Sequence, residues 1–283
     1  MASKRAPVEK DVEQPKSRNP TRRRQPQRAA KRRPLRVVYD VNGPRVRLGV
    51  GWFLLNLVAL IGGRWTVALL YALTAAIAAL QTAKTWRHVR RHPHRIVAGV
   101  GAAAIGMAGA VTTGLVGLAI LVTVGAALLV GYSERTRNPR ADPILNASYT
   151  IRCALFPGFA AACVAICTRF EFGAVVGLVL IVSAYETGDF LVGSGASNPF
   201  EGPIAGITAV VVTTFAIGAL DIKPFQFPQA FLFGALAAVL CPAGQLVASA
   251  VLPSNAAPAS ALRRLDSLLL LAPAWAFVVG LVV

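Results

Sequence analysis

The chain has 283 residues, 55% of them hydrophobic and only 14% charged, yet it carries a net charge of +17. Apolar residues gathered into runs such as Val116–Gly131 (VGLAILVTVGAALLVG) exclude an ordinary soluble domain, and their lack of period-two alternation excludes a transmembrane β-barrel. The expected class is an all-α, polytopic integral membrane protein with about nine transmembrane helices.

The basic excess is concentrated at the start. Residues 1–48 hold fifteen Lys/Arg against four acids, in a setting rich in Pro, Gln, Ser and Asn. Such a segment cannot bury enough surface to offset chain entropy, so residues 1–47 are expected to form a disordered cytoplasmic tail. Its two readings are attraction to anionic lipid head groups and a solvated tail that only helps to fix topology. Nucleic acid is not an expected partner, because no folded reading element or aromatic interleaving accompanies the charge. The first apolar run starts near Leu48, too far from Met1 for the hydrophobic region of a signal peptide, so no cleavable signal is expected.

Nine apolar runs follow and make up a helical domain over 48–283. They are Leu48–Ile61, Trp65–Ala83, Ile96–Val111, Leu115–Gly131, Ala147–Cys167, Gly173–Tyr185, Ile204–Leu220, Gln229–Val251 and Leu268–Val283. The basic loops fall on alternate connections: KTWRHVRRHPHR (84–95), YSERTRNPRADP (132–143) and the segment holding Arg263 and Arg264. By the positive-inside rule this predicts the plasma membrane with the N-terminus in the cytoplasm and the C-terminus outside. Cys153, Cys163, Cys167 and Cys241 lie within apolar runs without companion metal ligands, and are expected to be buried free thiols. Small residues spread through the runs permit close helix packing.

Between the sixth and seventh runs lies YETGDFLVGSGASNPFEGPIAG (185–206), which carries Glu186, Asp189 and Glu201. Its glycines Gly188, Gly193, Gly195 and Gly202, with Pro199 and Pro203, make it a poor continuous helix. It reads either as an ordinary polar turn or as carboxylates beside a Gly-rich backbone, able to hold a metal and a phosphate-bearing ligand. Asp189 lies three residues beyond Glu186 and shares its face if the helix continues through Gly188. The predicted topology puts this loop on the same side as Arg263–Ser267. There Arg263 and Arg264 are either a phosphate clamp or topological anchors, and Asp266 either caps the last helix or binds metal. His88, His92 and His94 sit among arginines that disfavour a metal. No GxxxxGK[ST], HExxH or GxSxG pattern occurs, so hydrolase-type nucleophilic catalysis has no support.

At these positions the sequence resembles the phosphatidate cytidylyltransferase (CDP-diacylglycerol synthase) family. Glu186-Thr187-Gly188-Asp189-Phe190 with Gly193 is similar to that family's Asp-Thr-Gly-Ala-Tyr-x-x-Gly stretch, and Asn198-Pro199-Phe200-Glu201-Gly202 to its Lys-Thr-Trp-Glu-Gly stretch. Arg263-Arg264-Leu265-Asp266-Ser267, followed by LLLLAP, resembles its C-terminal Asp-Arg-x-Asp-Ser signature. The resemblance covers about 173–283. It implies transfer of a cytidylyl group from CTP to phosphatidate, releasing pyrophosphate, in phospholipid biosynthesis. It also implies Mg²⁺ at Glu186 and Asp189, catalytic roles for Glu201, Arg264 and Asp266, and substrate contacts at Gly188, Gly193, Gly195, Gly202, Arg263 and Ser267. Membrane lipids, CTP and phosphatidate are the implied partners, and a homodimer is a candidate assembly. A related variant is a CTP-dependent lipid kinase.

The departures open a second expectation. Gly244-Gln245, Ala248-Ser249 and Leu252-Pro253 stand where the family has further acidic and basic residues, and Ala256–Ser260 replaces a Pro-Gly-His-Gly-Gly stretch. Arg263 replaces an acid, and a cation there repels Mg²⁺ by roughly several kcal/mol at a moderate dielectric. The alternative is therefore a non-catalytic relative that binds lipid or a partner protein.

Overall fold

A computed structural model describes residues 45–89, 91–137, 142–195, 197–254 and 257–282. The predicted basic tail lies outside the described residues except for its last three positions, which are helical.

Among the described residues the chain forms nine α-helices and one short 3₁₀ turn, and no strand. The helices are α1 (Arg45–Ile61), α2 (Arg64–Arg87), α3 (Arg95–Gly109), α4 (Thr113–Arg137), α5 (Pro143–Phe170), α6 (Phe172–Gly193), α7 (Glu201–Ala219), α8 (Phe227–Val251) and α9 (Leu268–Val282). The 3₁₀ turn, Leu262–Arg264, precedes α9. Six helices (α2 and α4–α8) are long and apolar enough to cross a membrane, whereas α1, α3 and α9 are shorter.

Helix α5 is the centre of the bundle, with α2, α3, α4, α6 and α9 all packed against it. Its run of small side chains explains this: Ala160, Ala161, Ala162, Ala165 and Cys167 are fully buried, which lets neighbouring backbones approach closely. Asp142 caps its start by accepting from Leu145 N at 3.1 Å, and Pro143 occupies the first turn, where a missing N–H costs nothing. Helix α4 is the opposite case. Its Leu118, Leu121, Val122 and Leu129 are exposed, an apolar face suited to lipid. At the other side of the core Phe225, Phe233 and Trp275 pack edge to face, and Trp275 Nε1 donates to Ala174 O at 3.0 Å. All four cysteines are free and buried.

The main correction concerns the sixth run. The helix does not stop at Tyr185; it continues through Gly188 to Gly193, and α7 begins at Glu201 rather than Ile204. Gly188 costs the helix about 1 kcal/mol relative to Ala. In return it permits contact with α7, because a Cβ at Gly188 would stand 2.7 Å from Ala205 O. Helices α6 and α7 make the most extensive contact in the bundle, and Tyr185 packs on Gly206 in the same seam. Tertiary packing thus outweighs the local propensity on which the loop expectation rested.

Candidate functional site

The continuation of α6 puts Glu186 and Asp189 on one helix face, with Asp189 buried at 5% exposure. Opposite stands Gln245 of α8, whose Nε2 donates to Asp189 Oδ2 at 3.0 Å and whose Oε1 receives a long hydrogen bond from the buried Tyr185 hydroxyl at 3.4 Å. One turn further along α8, the Ser249 hydroxyl donates to Gln245 O at 3.0 Å and accepts from Arg263 Nη1 at 3.3 Å. A continuous polar path therefore runs from α6 across α8 to the 3₁₀ turn.

That turn is held rigidly. Leu262 and Leu265 are fully buried on either side of the two arginines, and Ala261 N donates to Gln81 Oε1 of α2 at 2.9 Å. Arg263 and Arg264 are consequently half-buried and directed to different neighbours, Arg263 to Ser249 and Arg264 alongside Gly49 of α1. Asp266 follows, buried, its Oδ1 accepting from Ser267 N at 2.8 Å and from the Ser267 hydroxyl at 3.4 Å. Gly244 of α8 lies directly against the Asp266 carbonyl, where a side chain would not fit. Asp266 thus does what a capping residue does at the start of α9 while remaining inside the charged cluster.

Three carboxylates (Glu186, Asp189 and Asp266) and two guanidiniums (Arg263 and Arg264) share this region and act on one another electrostatically. Burial pushes the Asp266 carboxyl above the usual aspartate range; the Arg263 charge and the Ser267 hydrogen bonds oppose this, and Asp189 adds to it. The Oε1 atom of Glu186 is buried without a hydrogen-bond partner. Nearby, the buried Tyr71 hydroxyl donates to Asn56 Oδ1 at 2.7 Å, bringing α1 and α2 together beside Glu186.

Among the described residues no three His, Cys, Asp or Glu side chains converge so as to hold a metal ion. The carboxylates assigned to Mg²⁺ by resemblance face protein donors: Asp189 faces Gln245, and Asp266 faces Ser267. An octahedral ion sharing oxygen ligands with a phosphate does not fit this donor set without rearrangement.

The remaining expected site residues lie apart from the hydrogen-bonded cluster. Glu201 is exposed, and its Oε1 accepts from Asn198 N at 3.2 Å, closing the turn ahead of α7. Gly193 ends α6, Gly195 is exposed in the connecting turn, and Gly202 is buried in the first turn of α7. Gly188 serves the α6–α7 contact. The residues missing from the sequence expectation are Gln245, Ser249 and Tyr185. Their signal was available in Gln245 and Ser249, two polar residues four apart in an apolar run and hence on one helix face.

Above the cluster, the same end of the bundle presents a basic rim. Lys84, Arg87, Arg91 and Arg135 are exposed there. Trp86 is sandwiched between Tyr149 (centroids 4.5 Å apart) and the Arg152 guanidinium (5.4 Å), and Arg91 lies over Tyr149 at 5.6 Å. Trp86 Nε1 donates to Val251 O at 3.0 Å and Arg152 donates to Ala250 O, which satisfies carbonyls left open at the C-terminus of α8. His94, in turn, caps α3, its Nδ1 accepting from Val97 N at 3.3 Å. Compared with known proteins, the chain matches no family model, no curated protein and no solved structure.

Proposed function

We propose that the chain is a non-catalytic relative of the phosphatidate cytidylyltransferases, a multi-pass membrane protein that binds anionic phospholipid, phosphatidate above all, at the basic end of its helix bundle. The observation that carries this reading is a cluster whose charged groups are engaged with one another (Asp189 with Gln245, Ser249 with Arg263, Asp266 with Ser267) beneath a rim of exposed arginines. Nucleotide transfer needs charged groups free to bind phosphates, and lipid attraction needs only the rim, worth roughly 1 kcal/mol per basic residue near an anionic surface. On this reading the rim faces the cytoplasm, nine helices cross the plasma membrane, the C-terminus lies outside, and the basic tail adds to the attraction.

A second reading, cytidylyl transfer from CTP to phosphatidate, draws support from the meeting of Glu186 and Asp189 with Asp266, three acids from two sequence stretches that resemble the family. One preparation separates the two. Purified protein in nanodiscs of neutral lipid is given CTP, Mg²⁺ and phosphatidate, pyrophosphate release is followed, and retained lipid is read by native mass spectrometry. The expected result is retention of phosphatidate over neutral lipid, weakened by salt and by charge reversal of Arg87 and Arg91, with no pyrophosphate released. CTP-dependent pyrophosphate release that Asp189→Asn abolishes would establish the second reading and sink the first.

A further inference from the structure

We propose that Arg263 is the fixed internal cation of the buried cluster, supplying among Glu186, Asp189 and Asp266 the positive charge that a divalent ion would otherwise have to bring. This deepens the reading above and rests on it.

The case begins with charge. Three carboxylates gathered in a water-poor region repel one another and are each poorly solvated, so such a group persists only with compensating cations. The cluster contains two, Arg263 and Arg264, but they are held differently. Arg264 runs out alongside Gly49 of α1, whereas Arg263 turns inward and donates to Ser249. From Ser249 the path continues through Gln245 to Asp189, so the guanidinium is fastened by hydrogen bonds to the helix that also holds a carboxylate. The Arg263 charge also acts on Asp266, three residues along its own segment.

The backbone beneath Arg263 leaves it little freedom to withdraw. Leu262 and Leu265 anchor the 3₁₀ turn in the core, Gln81 holds Ala261, and Gly244 packs flush against Asp266. A guanidinium presents several donors in a fixed plane and stays charged at any accessible pH, which suits it to a permanent structural role. A metal ion needs a converging set of oxygen ligands, and the described residues provide no such set. Arg263 therefore decides whether the site takes a divalent cation.

The test uses full-length protein in detergent, with thermal unfolding followed by a thiol-reactive dye that reports exposure of the four buried cysteines. Mg²⁺ alone is the probe. Wild type and Arg263→Lys should keep the same midpoint in millimolar Mg²⁺. Arg263→Ala and Arg263→Gln should unfold several degrees lower, and Mg²⁺ should restore most of that loss, since a ligand of the folded state raises its midpoint. Adding Asp189→Asn to either variant should remove the Mg²⁺ response. The proposal is overturned if both neutral variants are indifferent to Mg²⁺. It is equally overturned if calorimetric titration shows wild type binding Mg²⁺ and Asp189→Asn abolishes that binding, a result that does not depend on the Arg263 variants folding. Neither readout involves pyrophosphate or lipid, so the failure of this inference and the failure of the proposed function are distinguishable.

Discussion

Replacing Gln245 with Leu tests whether the cluster is held together by the bridge across α8. Leu has nearly the volume of Gln, so the change leaves no cavity and isolates the polar contribution. Two hydrogen bonds disappear: Nε2 to Asp189 Oδ2 at 3.0 Å and the long bond from the Tyr185 hydroxyl at 3.4 Å. Side-chain hydrogen bonds between membrane helices average only about 0.6 kcal/mol, because alternative partners exist in the unfolded state. Here the acceptor is a carboxylate in a site where Gln245 is 5% exposed, and a hydrogen bond to a charged group contributes about 1.5–3 kcal/mol. The bond at 3.4 Å adds little. Gln245→Leu should therefore destabilise the folded state by about 2 kcal/mol.

The assay is reversible unfolding in mixed micelles, run on wild type, Gln245→Leu, Asp189→Asn and the double variant. If the Asp189–Gln245 contact is the source of the effect, the double-mutant cycle returns a coupling of about 1 kcal/mol or more. Gln245→Leu within about 0.5 kcal/mol of wild type, or strictly additive single changes, would refute the reasoning and reduce the bridge to a crossing of side chains without energetic consequence. Gln245→Glu sharpens the test. It sets a carboxylate against Asp189, so its destabilisation should exceed that of Leu at neutral pH and shrink as the pH is lowered.

Gly188→Ala gains about 1 kcal/mol of helix propensity but brings a Cβ 2.7 Å from Ala205 O, and overpacking against backbone should leave a net loss of about 1–2 kcal/mol in the same unfolding assay. Glu201→Ala removes only a local bond from Asn198 N, so its cost should stay below about 1 kcal/mol, and a larger loss would mean that Glu201 reaches the cluster. Because burial raises the Asp266 carboxyl, the folded state holds that proton more tightly than the unfolded state. The resulting stability is complete below the ordinary aspartate value of about 4 and falls as the pH climbs toward the raised folded value, and Asp266→Asn should flatten that part of the profile. Trp275→Phe keeps the aromatic packing but loses the bond to Ala174 O, a destabilisation of about 1 kcal/mol with no effect on lipid retention.

The apolar runs were readable in order because long stretches without charge admit few structures other than helices. What could not be read was where two of them end. Gly188 looked like a helix breaker because local propensity depends only on the residue itself, whereas its value lies in letting α6 meet Ala205 on a different helix. The same limit hid the partner of Asp189. A carboxylate in an apolar setting announces that it needs a donor, and Gln245 was visible as a polar residue, but their pairing spans 56 positions and depends on how α6 and α8 cross.

The two arginines show how this affects the reading of a site. In the sequence they are adjacent and chemically identical, so a phosphate clamp and a topological anchor were equally good descriptions. In the fold they separate, because a 3₁₀ turn pinned by Leu262 and Leu265 sends one guanidinium toward α8 and the other along α1. A charge directed into a group of carboxylates changes what that group can bind, whereas a charge along a helix edge mainly changes what approaches from outside. Resemblance to a catalytic family is carried by the acids, but which ligand they accept depends on the cation set among them. Arg263 is accordingly the residue at which a small substitution should alter the chemistry of the site most.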